Sequence, residues 1–203
     1  MAKVVIDLSM SLDGFIAGPG DGPELPLGGR GGEHLFDWYF NGDTPYEGTM
    51  FTPKGANRQV VAEMFERVGA MLTGRRTYDI TNGWNGTHPV KSIPVVILTH
   101  KPPAKVPTGK SQLVFVTDGI ESAVAKAKAL AKDKDVGIGG ASVAQQALRA
   151  GLVDLLYLHI SPILLGDGVR LFNNLGNQAI PLRRIASIDA GDVSHQRFTV
   201  LQH

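Results

Sequence analysis

A chain of 203 residues with 20 basic and 19 acidic side chains, net charge +1, has no overall attraction for nucleic acid or an anionic membrane, and no Lys/Arg run supplies a local one. With 43% hydrophobic and 19% charged residues it has the composition of a globular domain with one sizeable core. The lack of cysteine excludes disulfides, thiolate nucleophiles and cysteine-held metals. Residues 1–7 turn polar too soon for a signal peptide, and no apolar run nears the ~20 residues needed to cross a bilayer, so a cytoplasmic protein is expected.

Residues 4–8 (V-V-I-D-L) read as a first buried strand. A Gly- and Pro-rich loop follows over 9–32, then an aromatic patch at 34–40, then a second loop to Gly55. Loops of such length are usually lids or binding loops. Val60, Val61, Met64, Phe65 and Val68 recur at helical spacing and predict a helix over 57–68. Residues 70–73 form a short strand ending at Gly74, and 75–80 a further helix. Strands are expected at 94–98 and 113–116. Asp118 and Glu121 have capping-box spacing ahead of a helix over 120–131.

Residues 136–138 are a strand that breaks at Gly139-Gly140 into a helix over 141–150, with Gly151 as its C-cap. A long strand follows over 154–161, and two more at 184–189 and 194–201 are joined near Gly191-Asp192 as a hairpin. Alternating strands and helices imply a single α/β domain over 1–203. Its central sheet is mostly parallel, with helices on both faces and a C-terminal antiparallel hairpin. No internal repeat or linker interrupts it.

Five strand ends carry chemistry. Ser9–Ala17 (S-M-S-L-D-G-F-I-A) follows strand one, and in an open α/β sheet ligands bind beyond the carboxyl ends of the strands. Gly74-Arg75-Arg76-Thr77 offers two guanidiniums and a hydroxyl. Leu98-Thr99-His100-Lys101 again offers a hydroxyl and a cation. Gly139-Gly140 frees backbone amides at a helix start, which favours an anion, although such a turn taken singly is weak evidence. The fifth is I-S-P-I-L-L-G-D-G, over 160–168.

The set S-L-D-G-F-I-A, T-G-R-R-T-Y, I-G-G-A-S-V and I-S-P-I-L-L-G-D-G, in that order, resembles the dihydrofolate reductase-like superfamily. The resemblance is greatest to the reductase domain of riboflavin-biosynthesis deaminase-reductases and its stand-alone relatives, and covers about residues 3–200. It implies the three-layer dihydrofolate reductase-like fold, an NADPH cofactor and an oxidoreductase that is commonly a homodimer. Gly74, Arg75, Arg76 and Thr77 would grip the NADPH phosphates, and Leu98, Thr99, His100 and Lys101 would lie near the adenosine 2′-phosphate. Gly139, Gly140, Ala141, Ser142 and Val143 would hold the pyrophosphate and flank the nicotinamide. Ile16 and Ala17 would pack on the nicotinamide, with Asp13 close by as a candidate catalytic acid.

The substrate side departs from folate reductases. The acids of the 57–68 helix are Glu63 and Glu66, and a gapless count puts the pterin-holding acid of that family on Arg58. Asp37 is then a second candidate catalytic residue, and Trp38 and Glu63 are candidates for substrate contact. The reaction expected is hydride transfer to a C=N or C=O carbon of a small heterocyclic or carbonyl substrate, with the proton from an acid or water.

Two alternatives stand beside it. Gly140-Ala141-Ser142-Val143-Ala144 approximates a nucleophile elbow, with Asp189 and His195 in hydrolase order. A dinucleotide-binding module without turnover is the other. The six histidines show no metal-ligand spacing, so no metal is expected. The partners expected are a small molecule and a second copy of the chain, with no nucleic acid and no membrane.

Overall fold

The alternation of β1 (Val4–Ser11) sets the frame. Val4, Ile6 and Met10 enter the core beneath one face of the sheet, and Asp7 and Ser9 emerge on the other. The computed structural model describes residues 2–201. The remaining elements of the first half are β2 (Phe15–Ala17), a 3₁₀ segment (Gly32–Tyr39), α1 (Gly55–Arg67), β3 (Val68–Gly74), α2 (Arg75–Ile80), a short 3₁₀ turn (Asn82–Gly86), β4 (Val95–Leu98) and β5 (Leu113–Val116). The second half holds α3 (Ile120–Ala131), β6 (Asp135–Gly139), α4 (Ala141–Arg149), β7 (Leu155–Ser161), β8 (Val169–Arg170), β9 (Leu182–Asp189) and β10 (Ser194–Val200).

Eight strands form one sheet in the order β5-β4-β3-β6-β1-β7-β10-β9. β5 through β7 are parallel, and β10 runs antiparallel to both β7 and β9. The predicted fold class is therefore the observed one. α3 buries Ile120, Ala123, Val124, Ala127 and Ala131, a stripe at helical spacing, and with α4 covers the Val4/Ile6 face. α1 and the 3₁₀ segment cover the other face with Val60, Val61, Phe65 and Trp38. No helix among the described residues is long and apolar enough to cross a membrane.

Several local expectations are corrected. β1 runs on to Ser11 because Leu8–Ser11 pair with Leu158–Ser161 of β7. β2 lies in the segment expected to be loop, yet it pairs with β8, some 150 residues away in sequence. The aromatic patch is a 3₁₀ segment. Val68 leaves the helix to pair with Asp135, so α1 ends at Arg67. The Asp118–Glu121 capping box does not form: Gly119 is the N-cap, at φ 112°, and no side chain caps the helix.

A buried polar chain stitches β1, β7 and β10 to α1. Arg67 pairs with Asp7 through Nη2 and with Asp135 through Nη1 (3.3 Å). Asp7 Oδ1 lies 2.7 Å from His159 Nε2, and the Nδ1 atoms of His159 and His195 are 2.7 Å apart. Asn57 Nδ2 donates to Asp192 (3.0 Å), so its Oδ1 accepts from His195 Nε2 (2.8 Å).

Burial pushes the Asp7 carboxyl up, but the His159 and Arg67 contacts outweigh it and leave the group below its usual range. Burial lowers His195 to about 4, as it does His88. These two imidazoles stay neutral in the folded chain, while the unfolded chain protonates them near 6.5. Stability should therefore fall as pH drops from about 6.5 to about 4, by up to about 3 kcal/mol for each group. Below about 4, protonation of Asp7 removes more. Urea unfolding at pH 7.5, 6 and 4.5 should show a falling midpoint across the series. Asp7→Asn, which removes the buried carboxylate that Arg67 and His159 both contact, should cost about 3–5 kcal/mol at pH 7.

Candidate active site

The sheet opens where β6 ends. β1 pairs with β6 through Ile6↔Ile138, but β6 turns away at Gly139 while β1 continues to Ser11 with β7 alone. Gly139 is packed against the Met71 methyl, and its carbonyl accepts from the Thr73 hydroxyl (2.8 Å). Gly140 has φ +97°, and a Cβ there would stand 2.8 Å from Thr77 Oγ1. Only glycine suits this turn. It delivers the chain into α4, whose N-terminus has no side-chain cap, so the first amides of that helix face the opening.

The opening is a cavity of about 1070 Å³. Ile16 and Ala17 of β2 line one wall. Gly74, Arg75, Arg76 and Thr77 line the end of β3, Leu98, Thr99, His100 and Lys101 the end of β4, and Gly139, Gly140, Ala141, Ser142 and Val143 the end of β6. Strand order brings these segments side by side.

The basic groups are unequally free. Arg75 Nε donates to both carboxylate oxygens of Asp79 (2.8 and 2.9 Å) and its Nη1 to the Lys101 carbonyl (2.8 Å), which leaves Nη2. Arg76 grips Asp21 through Nε (3.1 Å) and Nη2 (2.6 Å), a two-pronged pair that raises its already high pKa. Among the described residues Lys101 has no ion-pair partner. Asp21, on the loop after β2, was not foreseen, since 55 residues separate it from Arg76.

The cradle suits a phosphate-bearing dinucleotide. Glycine backbone, uncapped α4 amides and cationic side chains at adjacent strand ends are the groups that anionic oxygens need.

The candidate catalytic and substrate residues do not line the cavity. The Asp13 carboxylate accepts from the Ser11 hydroxyl (2.6 Å) and the amides of Gly166 (2.7 Å) and Leu165 (3.1 Å). The Ser11 bond above all, then those amides, hold its pKa at about 2; the group staples two loops and is ionised at neutral pH. Asp37 is exposed and pairs with His34 (2.9 Å). Glu63 pairs with Arg197 on β10 (2.6 Å). Trp38 is 2% exposed and acts from behind the wall, its indole N–H donating to Ser9 Oγ (2.9 Å).

The hydrolase constellation is not assembled. Ser142 bonds Gln146, His195 is committed to His159 and Asn57, and Asp189 accepts from Gly191. No three His, Asp or Glu among the described residues are grouped to hold a metal ion.

Residues 2–195 match the model of the RibD C-terminal domain, and the chain belongs to that family, one of NAD(P)H-dependent reductases. It is 28% identical over 197 residues to the Bacillus subtilis (strain 168) protein YyaP, covering 90% of this chain and 86% of that one. It is similar to a Shewanella sp. PV-4 structure provisionally described as a riboflavin biosynthesis protein (TM-score 0.70, 25% identity, 100% of both chains). Dihydrofolate reductase from Enterococcus faecalis, solved with NADP(H), shares the fold (TM-score 0.57, 11% identity, 98% of this chain and 97% of that one).

Gly140→Ala should force a β-carbon onto Thr77 at a positive φ. It should cost about 1–3 kcal/mol, read as a lower Tm, whereas Ala at the open, exposed Gly20 turn should cost less.

Proposed function

We propose that this protein is an NADPH-dependent reductase that passes a hydride to a small heterocyclic or carbonyl/imine substrate. The observation that carries the reading is the convergence of three strand ends, 74–77, 98–101 and 139–143, on one large cavity with an uncapped helix at its centre. The α4 amides and the Gly139-Gly140 backbone would take the pyrophosphate. Arg75 Nη2 and the Lys101 ammonium, the cationic groups with donors to spare, would take the 2′-phosphate. When bound, the dinucleotide supplies the hydride.

The chain's own part is to fix the geometry and exclude water. Ile16 and Ala17 close one wall, and the Asp21–Arg76 pair ties the loop after β2 to α2. Asp21 is the sole carboxylate lining the cavity among the described residues, and it is committed to Arg76. The proton that completes the reduction therefore comes from solvent. A homodimer is part of the proposal, and sedimentation of the purified chain checks it.

Nicotinamide fluorescence should rise on titration with NADPH. Arg75→Ala and Lys101→Ala should each weaken NADPH about tenfold, about 1.4 kcal/mol, and leave NADH nearly unchanged. Equal losses for both cofactors would remove the 2′-phosphate assignment. Tight NADPH binding with no oxidation across a panel of carbonyl and pyrimidinone substrates would mark a binding module instead.

A further inference from the structure

The cavity has two chemically different ends. The charged side chains gather at the ends of β3 and β4, where Arg75, Arg76 and Lys101 stand. Away from them the wall is Leu8, Ser9, Ile16, Leu27 and Phe36. Leu27 is held there by its carbonyl, which accepts from the Gly18 amide just past β2 (2.9 Å). Phe36 lies two residues before Trp38, whose indole bonds Ser9. Arg170 also borders the cavity, but its guanidinium is turned onto the Phe15 ring (4.3 Å) and donates to the Asp13 carbonyl (3.2 Å). Asp21 is neutralised by Arg76. Among these five wall residues the one polar side chain is Ser9.

The hydrogen-bond state of Ser9 follows from its partner. An indole N–H can only donate, so Ser9 Oγ accepts from Trp38 (2.9 Å). The hydroxyl proton must point elsewhere, and no described residue accepts it. Ser9 is 3% exposed and borders the cavity, so the donor is nearly desolvated at the wall. A buried donor without an acceptor is costly, and a ligand acceptor would satisfy it. Trp38 is itself immobile, packed against the His159 and His195 rings (centroids 4.6 and 5.0 Å) that the Asp7 chain holds in place. The direction of the Ser9 donor is thus set from within the core.

We propose that Ser9 donates to the heteroatom of the hydride-accepting C=O or C=N group and that Trp38 positions it. The inference rests on the reductase reading above. In the reduction, two electrons and one hydrogen reach the carbon from the dinucleotide, the double-bond pair moves to the heteroatom, and solvent protonates that atom. Ser9 stabilises the charge that gathers there.

The test pairs NADPH binding with turnover. Nicotinamide fluorescence gives Kd for NADPH in wild type and Ser9→Ala, and NADPH oxidation is followed with two neutral probes, cyclohex-2-enone and benzaldehyde, and with a ribose-phosphate-bearing pyrimidine. The expected result is an unchanged Kd, oxidation by at least one of the three probes, and a fall of tenfold or more in kcat/KM for that probe in Ser9→Ala. Trp38→Phe, which frees the hydroxyl to rotate, should lower kcat while Kd for NADPH holds.

If NADPH binds and Ser9→Ala turns over like wild type, the role of Ser9 is overturned. If NADPH binds and none of the three probes is reduced, the placing of the hydride acceptor against Ser9 is overturned. Failure of wild type to bind NADPH would instead strike the reductase reading itself.

Discussion

The site depends on one tight passage, where the chain leaves β6 between Met71 and Thr77. Two residues without side chains are needed there, one of them at φ +97°. Because the strand can turn so sharply, β1 loses its neighbour beyond Ile6 and the sheet parts. The same turn leaves the first amides of α4 uncapped and facing the gap. Cavity, anion cradle and apolar wall all follow from that departure.

The neighbouring elements hold the gap open without filling it. Thr73 donates to the Gly139 carbonyl (2.8 Å) and keeps β3 against β6 to its last residue. On the other side β1 is anchored to β7 over seven paired positions, and beneath them runs the Arg67–Asp7–His159–His195–Asn57 chain. A buried charged network contributes little net stability compared with apolar packing, but breaking it is expensive. Here it also fixes the plane of Trp38 and, through its indole N–H, the orientation of Ser9. Core electrostatics and the wall of the cavity are thus coupled by a single ring.

The arginines of the α2 turn show how composition can mislead about a site's charge. Arg75 and Arg76 read as two cations for phosphate, yet Asp79 and Asp21 neutralise most of their donors. Their remaining value is directional: Arg75 keeps one nitrogen free, and Arg76 fastens a distant loop. Asp13 and Asp37 read as acids, yet neither lines the cavity; the partners of Asp13 are a hydroxyl and loop amides, and that of Asp37 is His34.

The sequence alone determined the strands and helices with strong periodicity, the parallel α/β class, and the three strand ends, 74–77, 98–101 and 139–143, that line the cavity. These are local patterns: hydrophobic spacing and glycine punctuation act within a few residues, so one chain displays them. Tertiary structure decided what depends on long-range pairing. It made Ser9–Ser11 strand by setting them beside β7, created β2 by pairing it with β8, and carried Asp21 across 55 residues to Arg76. It also moved Trp38 from a presumed ligand contact to a buried support for Ser9. Pairing partners that distant leave no periodic trace, since burial and hydrogen-bond direction exist only once the sheet has closed around them.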